Sequence, residues 1–341
     1  MNIQLSDHFT YRRLIRFVIP SVAMMILTSI YGVVDGLFVS NFVGKTPFAA
    51  VNLVIPFTMI LGAFGFMLGT GGTALVAKTL GEGRQEEANR IFSMLIYFAL
   101  GLGVLLTIFG IAVLKGIVIK MGADDAMLRH CMIYGRIVLL GIPFYMLQNM
   151  FQNFLIAAEK PQLGLIVTIA AGVTNMVLDA LFIAVLGWGV AGAAAATALG
   201  QCVGGLVPFV YFARKNSSKL SLVKTRLMGG ALFHACTNGS SELVSNVSMS
   251  LVGMLYNLQL MKFAGENGVA AYGVIMYVNF IFIAIFLWFC TYCCLQLRRE
   301  TDGGIAECAE KEPEADSGNG DFAVPDCNGI CRRAFRAVCR L

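Results

Sequence analysis

Charge is what this sequence has least of. Of 341 residues, 25 are Lys or Arg and 20 are Asp or Glu, which makes 13%. A soluble domain carries roughly 25%, and a mean hydropathy of +0.75 agrees that this chain is not one. The groups that soluble enzymes use are scarce as well. There are three histidines and none after His234, so no histidine completes a zinc spacing with the late cysteines. The glycine-rich "LGTGGTAL" is not followed by Gly-Lys-Ser/Thr, which excludes a phosphate loop. No nucleophile constellation or cofactor loop stands out, so the reading is not an enzyme, with no cofactor and no bound metal.

What fills the space is apolar sequence in long runs. Eight stretches reach the length of about 20 residues needed to cross a bilayer: 14–40, 50–77, 91–114, 132–157, 163–186, 190–213, 230–261 and 269–292. They are continuous rather than alternating, which points to helices and away from barrel strands. Arg12, Arg13 and Arg16 before the first run imitate a secretory signal, but the run is too long for a signal core and is expected to be retained. Placing the N-terminus in the cytoplasm puts twelve Lys and Arg on the inner side, among them Lys78, Arg84, Arg90, Lys160 and the group 214–226, and six on the outer side. That asymmetry predicts a multi-pass protein with a cytoplasmic N-terminus. The net charge of +5 is then a property of loops and does not imply nucleic acid. The bases at 214–226 read as a topological anchor and linker within reach of membrane lipids.

A repeat divides the chain. "VGKTPFAAVNLVIP" at 43–56 and "AGENGVAAYGVIMY" at 264–277 match at an offset of 221, with Gly44 over Gly265 and Ala49–Ala50 over Ala270–Ala271. Transporters are often built this way. The expected organisation is a six-helix lobe over 1–213, a basic linker over 214–229, and the first two helices of a second lobe over 230–292. From Cys290 the composition changes abruptly. Seven of the ten cysteines and 16 of the 45 charges lie at or after it, so 293–341 is expected to be an aberrant, disordered tail, consistent with a shifted frame or a truncation.

Polar residues inside the runs carry the functional signal. Asp35 and Asp179 are the acids within the spans of the first lobe, and acids at such depth are functional by default. Asn175 lies one turn before Asp179, Asn149 and Asn153 are one turn apart in the preceding span, and Thr197 sits in an alanine-rich run that admits close helix approach. These groups are candidates for one pocket that holds a proton or a small hard cation. Glu242, near the start of the seventh span, is either a second-lobe site or an interfacial residue. Pro20 is the candidate bend of the first span, whereas Pro56, Pro143 and Pro208 are expected only to fit the packing.

The ordered set "RRLIRFVIPS", Asp35 fifteen residues after Pro20, "LGEGRQEEANR", "QNFLIAAEKP", "NMVLDALFI" and "GAAAATALGQ" resembles the MATE family, the multidrug and toxin extrusion transporters, and within it the bacterial drug-efflux branch. The resemblance covers about residues 8–289. It implies an all-α polytopic fold with eight of the family's twelve spans, and H+- or Na+-coupled antiport that exports cationic or amphipathic drugs. It further implies an inner-membrane location and, in a family usually monomeric, leaves the oligomeric state open. By motif, Asp35, Asn175, Asp179 and Thr197 correspond to the ion-coupling cluster of the first lobe. Asn149 and Asn153 fall near it, and Glu242 resembles a cation-binding acid of the seventh span. The alternatives are a transport-inactive fragment and a lipid-linked sugar flippase of the same superfamily; the latter needs a cationic cleft, where these spans offer acids.

Overall fold

Proline and glycine set the punctuation of the chain. The computed structural model describes Met24, residues 32–214, Asn216 and residues 218–308, and all described regular structure is helical. Helix α1 is Gly32–Val43, and its last five residues, Val39–Val43, form a π turn. Then come α2 (Lys45–Gly81), α3 (Gln85–Lys120), α4 (Asp125–Leu140) and α5 (Ile142–Ala157). Helix α6 runs Pro161–Val185, with a π turn over Ala180–Val185. Helix α7 is Val190–Ala213 and α8 is Gly229–Cys308, the latter broken at Gly265. Pro20 and most of the first expected span lie outside the described residues.

Local sequence accounts for the boundaries. Glu86 and Glu87 occupy the first turn of α3 and Lys120 its last, matching the helix dipole at both ends. Asp124 caps α4 by accepting the Met127 N–H at 2.8 Å. Pro161 opens α6 where no N–H is needed.

Four described helices, α2, α3, α6 and α7, are long and apolar enough to cross a membrane, and α4 with α5 makes a fifth, bent by 51°. This corrects the expectation of one uninterrupted span over 132–157. Pro143 does more than fit the packing. It lacks an N–H, and its ring would collide with the carbonyl of Leu139, so the helix ends at Leu140 and restarts at Ile142. Pro56 and Pro208, by contrast, lie inside unbroken α2 and α7. A second difference concerns the tail. Helical backbone continues as far as Cys308, through "LQLRRE", a run of good helix formers, where a disordered segment was expected. Residues 309–341 are outside the description.

Helix α2 is the centre of the first lobe, packed on α3, α4 and α5, while α7 packs on α4, α5 and α6. Phe92, Phe151, Phe154 and Phe212 form an aromatic knot that ties α3 to α5 and α7, with centroids 4.9–6.4 Å apart. On the outer face of α3, Leu105, Ile108 and Phe109 are exposed. An apolar face turned outward suits lipid rather than water.

The two sequence copies share one backbone feature. Gly44 (φ 112°) and Gly265 (φ 58°) are matched positions of the two copies, and each breaks the chain between consecutive helices. Positive φ there is open to glycine and costly for other residues, which explains why the glycine recurs. Helix α8 up to that break runs antiparallel along α2. A Cβ on Gly71 would lie 2.0 Å from the Ala235 carbonyl oxygen, and one on Gly239 2.0 Å from that of Met67. Further along, Asn257 donates to the Asn52 carbonyl at 3.0 Å, and Thr46 donates to Glu266 at 2.7 Å. The described residues up to Phe282 form one compact unit that includes the start of the second repeat.

Candidate ion-coupling site

Helices α1 and α6 meet where each carries its acid. Asp35 and Asp179 are buried and lie within hydrogen-bonding reach of one another. Oδ1 of Asp35 and both carboxyl oxygens of Asp179 find no hydrogen-bond donor among the described residues. Both helices change to π geometry after their acid, at Val39 and at Ala180, and the two π turns touch. Such turns interrupt the regular ladder and recur at functional sites. Two anionic groups meeting away from water repel unless a proton or a cation sits between them.

Asn175 lies one turn before Asp179 on α6, and Thr197 lies on the adjoining helix α7. Asn175 is buried, its Oδ1 is unpartnered, and its Cβ lies 3.1 Å from where a Cβ on Gly200 of α7 would be. Glycine at 200 therefore lets α6 and α7 approach closely. Thr197, one turn before Gly200, also keeps an unpartnered Oγ1. The four residues Asp35, Asn175, Asp179 and Thr197 thus contribute oxygen atoms without donors on three adjoining helices.

Asn149 and Asn153 have a different setting. Their amides donate to the Tyr145 and Asn149 carbonyls of their own helix, both at 3.0 Å. They line the crossing of α5 with α2, where a Cβ on Gly69 would meet the Asn153 amide at 3.1 Å. Glu242 lies on α8 and accepts from Asn246, one turn later, at 3.3 Å. None of these three has a described hydrogen bond to the acidic pair.

Two glutamines went unremarked in the sequence. Gln148 is buried with its Oε1 unpartnered, and Gln201 likewise has an unpartnered Oε1. Gly204 faces Gln148 and Gly141 faces Gln201, each at 2.6 Å from an added Cβ to a side-chain atom. The available signal was spacing: Gln201 follows Thr197 by four residues, continuing the same polar face of α7. Among the described residues, no group of three or more His, Cys, Asp and Glu is arranged to hold a metal.

A bundle of membrane-length helices around a buried acidic pair defines an all-α, multi-pass membrane protein. The MatE family model matches residues 20–181. The chain is 27% identical over 268 residues to the multidrug export protein MepA of Staphylococcus haemolyticus, covering 77% of this chain and 58% of that protein. It resembles the inward-facing conformation of a multidrug resistance MATE family transporter of the MOP superfamily, with TM-score 0.68, 26% identity and coverage of 74% and 60% of the two chains. The outward-facing conformation of such a transporter aligns with TM-score 0.73, 26% identity and coverage of 82% and 62%. The family model, the relatives and the solved structures agree that the chain is similar to MATE-type transporters. It spans about three fifths of the length of the curated relatives it matches.

Proposed function

We propose that this chain works in cation-coupled multidrug efflux, as an antiporter that exchanges H+ or Na+ for cationic or amphipathic compounds. The observation that carries the reading is the contact between Asp35 and Asp179, whose carboxyl groups have each other and few other partners. A cationic drug is attracted to the pair while it is charged. Uptake of a proton or a sodium ion removes that charge, weakens the hold on the drug, and so links the two binding events. Asn175 and Thr197 supply neutral oxygens that fit a sodium ion as well as a protonated acid.

Alternating access is the movement this coupling drives, with the two repeats rocking across the seam between α2 and α8. The name of the staphylococcal relative and the two conformations of the solved transporters support it. The Lys and Arg asymmetry supports a cytoplasmic N-terminus in the inner membrane.

Ethidium efflux from everted vesicles containing this chain, under an imposed proton or sodium gradient, tests the proposal. Transport is expected to follow one gradient and to vanish in Asp179→Asn, with membrane insertion unchanged. Undiminished efflux in that variant refutes the assignment of the site.

A further inference from the structure

The linker between the repeats is an ordered strap. Gln85, Asn89 and Ser93 stand four residues apart on one face of α3. Gln85 donates to the Lys219 carbonyl at 3.0 Å, Asn89 Oδ1 accepts the Ser221 N–H at 3.0 Å, and Ser93 Oγ accepts the Val223 N–H at 2.8 Å. The registers agree because four helical residues rise about 6 Å and two extended residues about 6.6 Å. Leu220 is fully buried beneath the strap, and the Leu222 N–H returns to the Phe212 carbonyl at 2.9 Å.

This anchoring leaves a defined set of bases uncovered. Among the described residues, the acids at this end of the bundle are Glu82, Glu86, Glu87 and Glu159. Arg84 pairs with Glu82 and Glu87, and Lys219 pairs with Glu159. Lys224 and Arg226 are exposed, alternate along the strap, and form no ion pair with a described residue. Lys78, Arg90 and Arg214 are exposed at the same end. Beside them, Leu227 is 70% exposed and Phe233 67% exposed. The strap follows the end of α7 and leads into α8, at the end of the bundle where the membrane-length helix α2 ends and α3 begins.

We propose that the 219–227 strap is a preformed docking surface for anionic phospholipid, with Lys224 and Arg226 meeting the headgroup phosphate and Leu227 the upper acyl chain. A basic pair beside an exposed leucine fits an anionic amphiphile better than a free anion. Fixing the strap to α3 means that little further ordering is needed when the lipid binds.

The purified chain in nanodiscs of phosphatidylcholine, alone or mixed with phosphatidylglycerol, provides the test, with retained phosphatidylglycerol and the thermal midpoint as readouts. Phosphatidylglycerol is expected to raise the midpoint, less so at high salt. Lys224→Ala/Arg226→Ala is expected to bind it about thirtyfold more weakly while keeping its midpoint in phosphatidylcholine. Asn89→Ala/Ser93→Ala, or Ser221→Pro if that variant fails to fold, keeps every base but frees the strap and is expected to lose most of the preference. Wild-type lipid affinity in either class of variant overturns the proposal, as does a midpoint shift reproduced by inorganic phosphate alone. No transport is measured, so the outcome is independent of the efflux reading.

Discussion

Gly273 stands against the side chain of Asn52, the residue that occupies its own position in the other copy of the repeat. A Cβ at 273 would lie 2.4 Å from the Asn52 amide nitrogen. The two repeats therefore meet at matched positions, but with unlike residues: one supplies a side chain and the other makes room for it. Asn52 also donates to the Phe48 carbonyl at 2.9 Å, so it has little freedom to move aside.

Gly273→Ala is accordingly expected to destabilise the seam between α2 and α8 by about 1–3 kcal/mol, as overpacking does. Asn52→Ala in the same chain should recover most of that loss, because the second change vacates the space the first one needs. Thermal unfolding of both variants and the double variant in detergent checks this. Additive losses would show that the two residues do not share one contact.

The acidic pair predicts the opposite pattern, a loss that does not grow. Asp35→Asn and Asp179→Asn should each abolish gradient-driven ethidium efflux, and the double variant should be no worse than either. Groups that act as a unit behave this way. Efflux that declines in two separate steps would mean that each acid serves its own ion.

Gln148 offers a test in which the polar group is expected to be dispensable for folding. Its Oε1 is buried and unpartnered, and glycine at 204 leaves it room. Gln148→Met conserves shape and removes the orphaned dipole, so the thermal midpoint should hold or rise. A drop of several degrees would reveal a partner that the side chain depends on.

The turn between α2 and α3 predicts a pH effect. The Arg84 guanidinium beside Glu82 holds that carboxyl below its ordinary value of 4.5. A depressed acid stabilises the folded turn above its unfolded pKa, and the contribution disappears as pH falls through the folded value. An NMR titration should place the Glu82 midpoint below 4.5, and Arg84→Ala should move it upward. Both side chains are exposed, so added salt should narrow the difference.

Much of this was legible in the sequence. Long, continuous uncharged runs fix helices in a membrane, because the alternative that satisfies the backbone there, a closed barrel, needs alternating strands. The recurrence of Gly44 as Gly265 marked the repeat, since a positive φ restricts the choice of residue. Asp35 and Asp179 were visible as acids because each stands out in an apolar run. That they meet was not visible, since the pairing depends on how α1 and α6 pack over a separation of more than a hundred residues.

The remainder was decided by tertiary structure. Asn149, Asn153 and Glu242 are polar residues in spans like Asn175, and helical spacing cannot say which neighbour each one faces. The close approach at Gly71 and Gly239 fixed the seam, and the crossing of α5 with α2 set the Asn153 side chain against Gly69. The linker is the sharpest case. Its composition gave only charge, while its order comes from Asn89 and Ser93, more than a hundred residues earlier in the chain. Sequence by itself determined the helices, the membrane and the acids, because those follow from local hydropathy and backbone chemistry. Which polar groups share a site was settled by packing, because helix contacts depend on residues far apart in the chain.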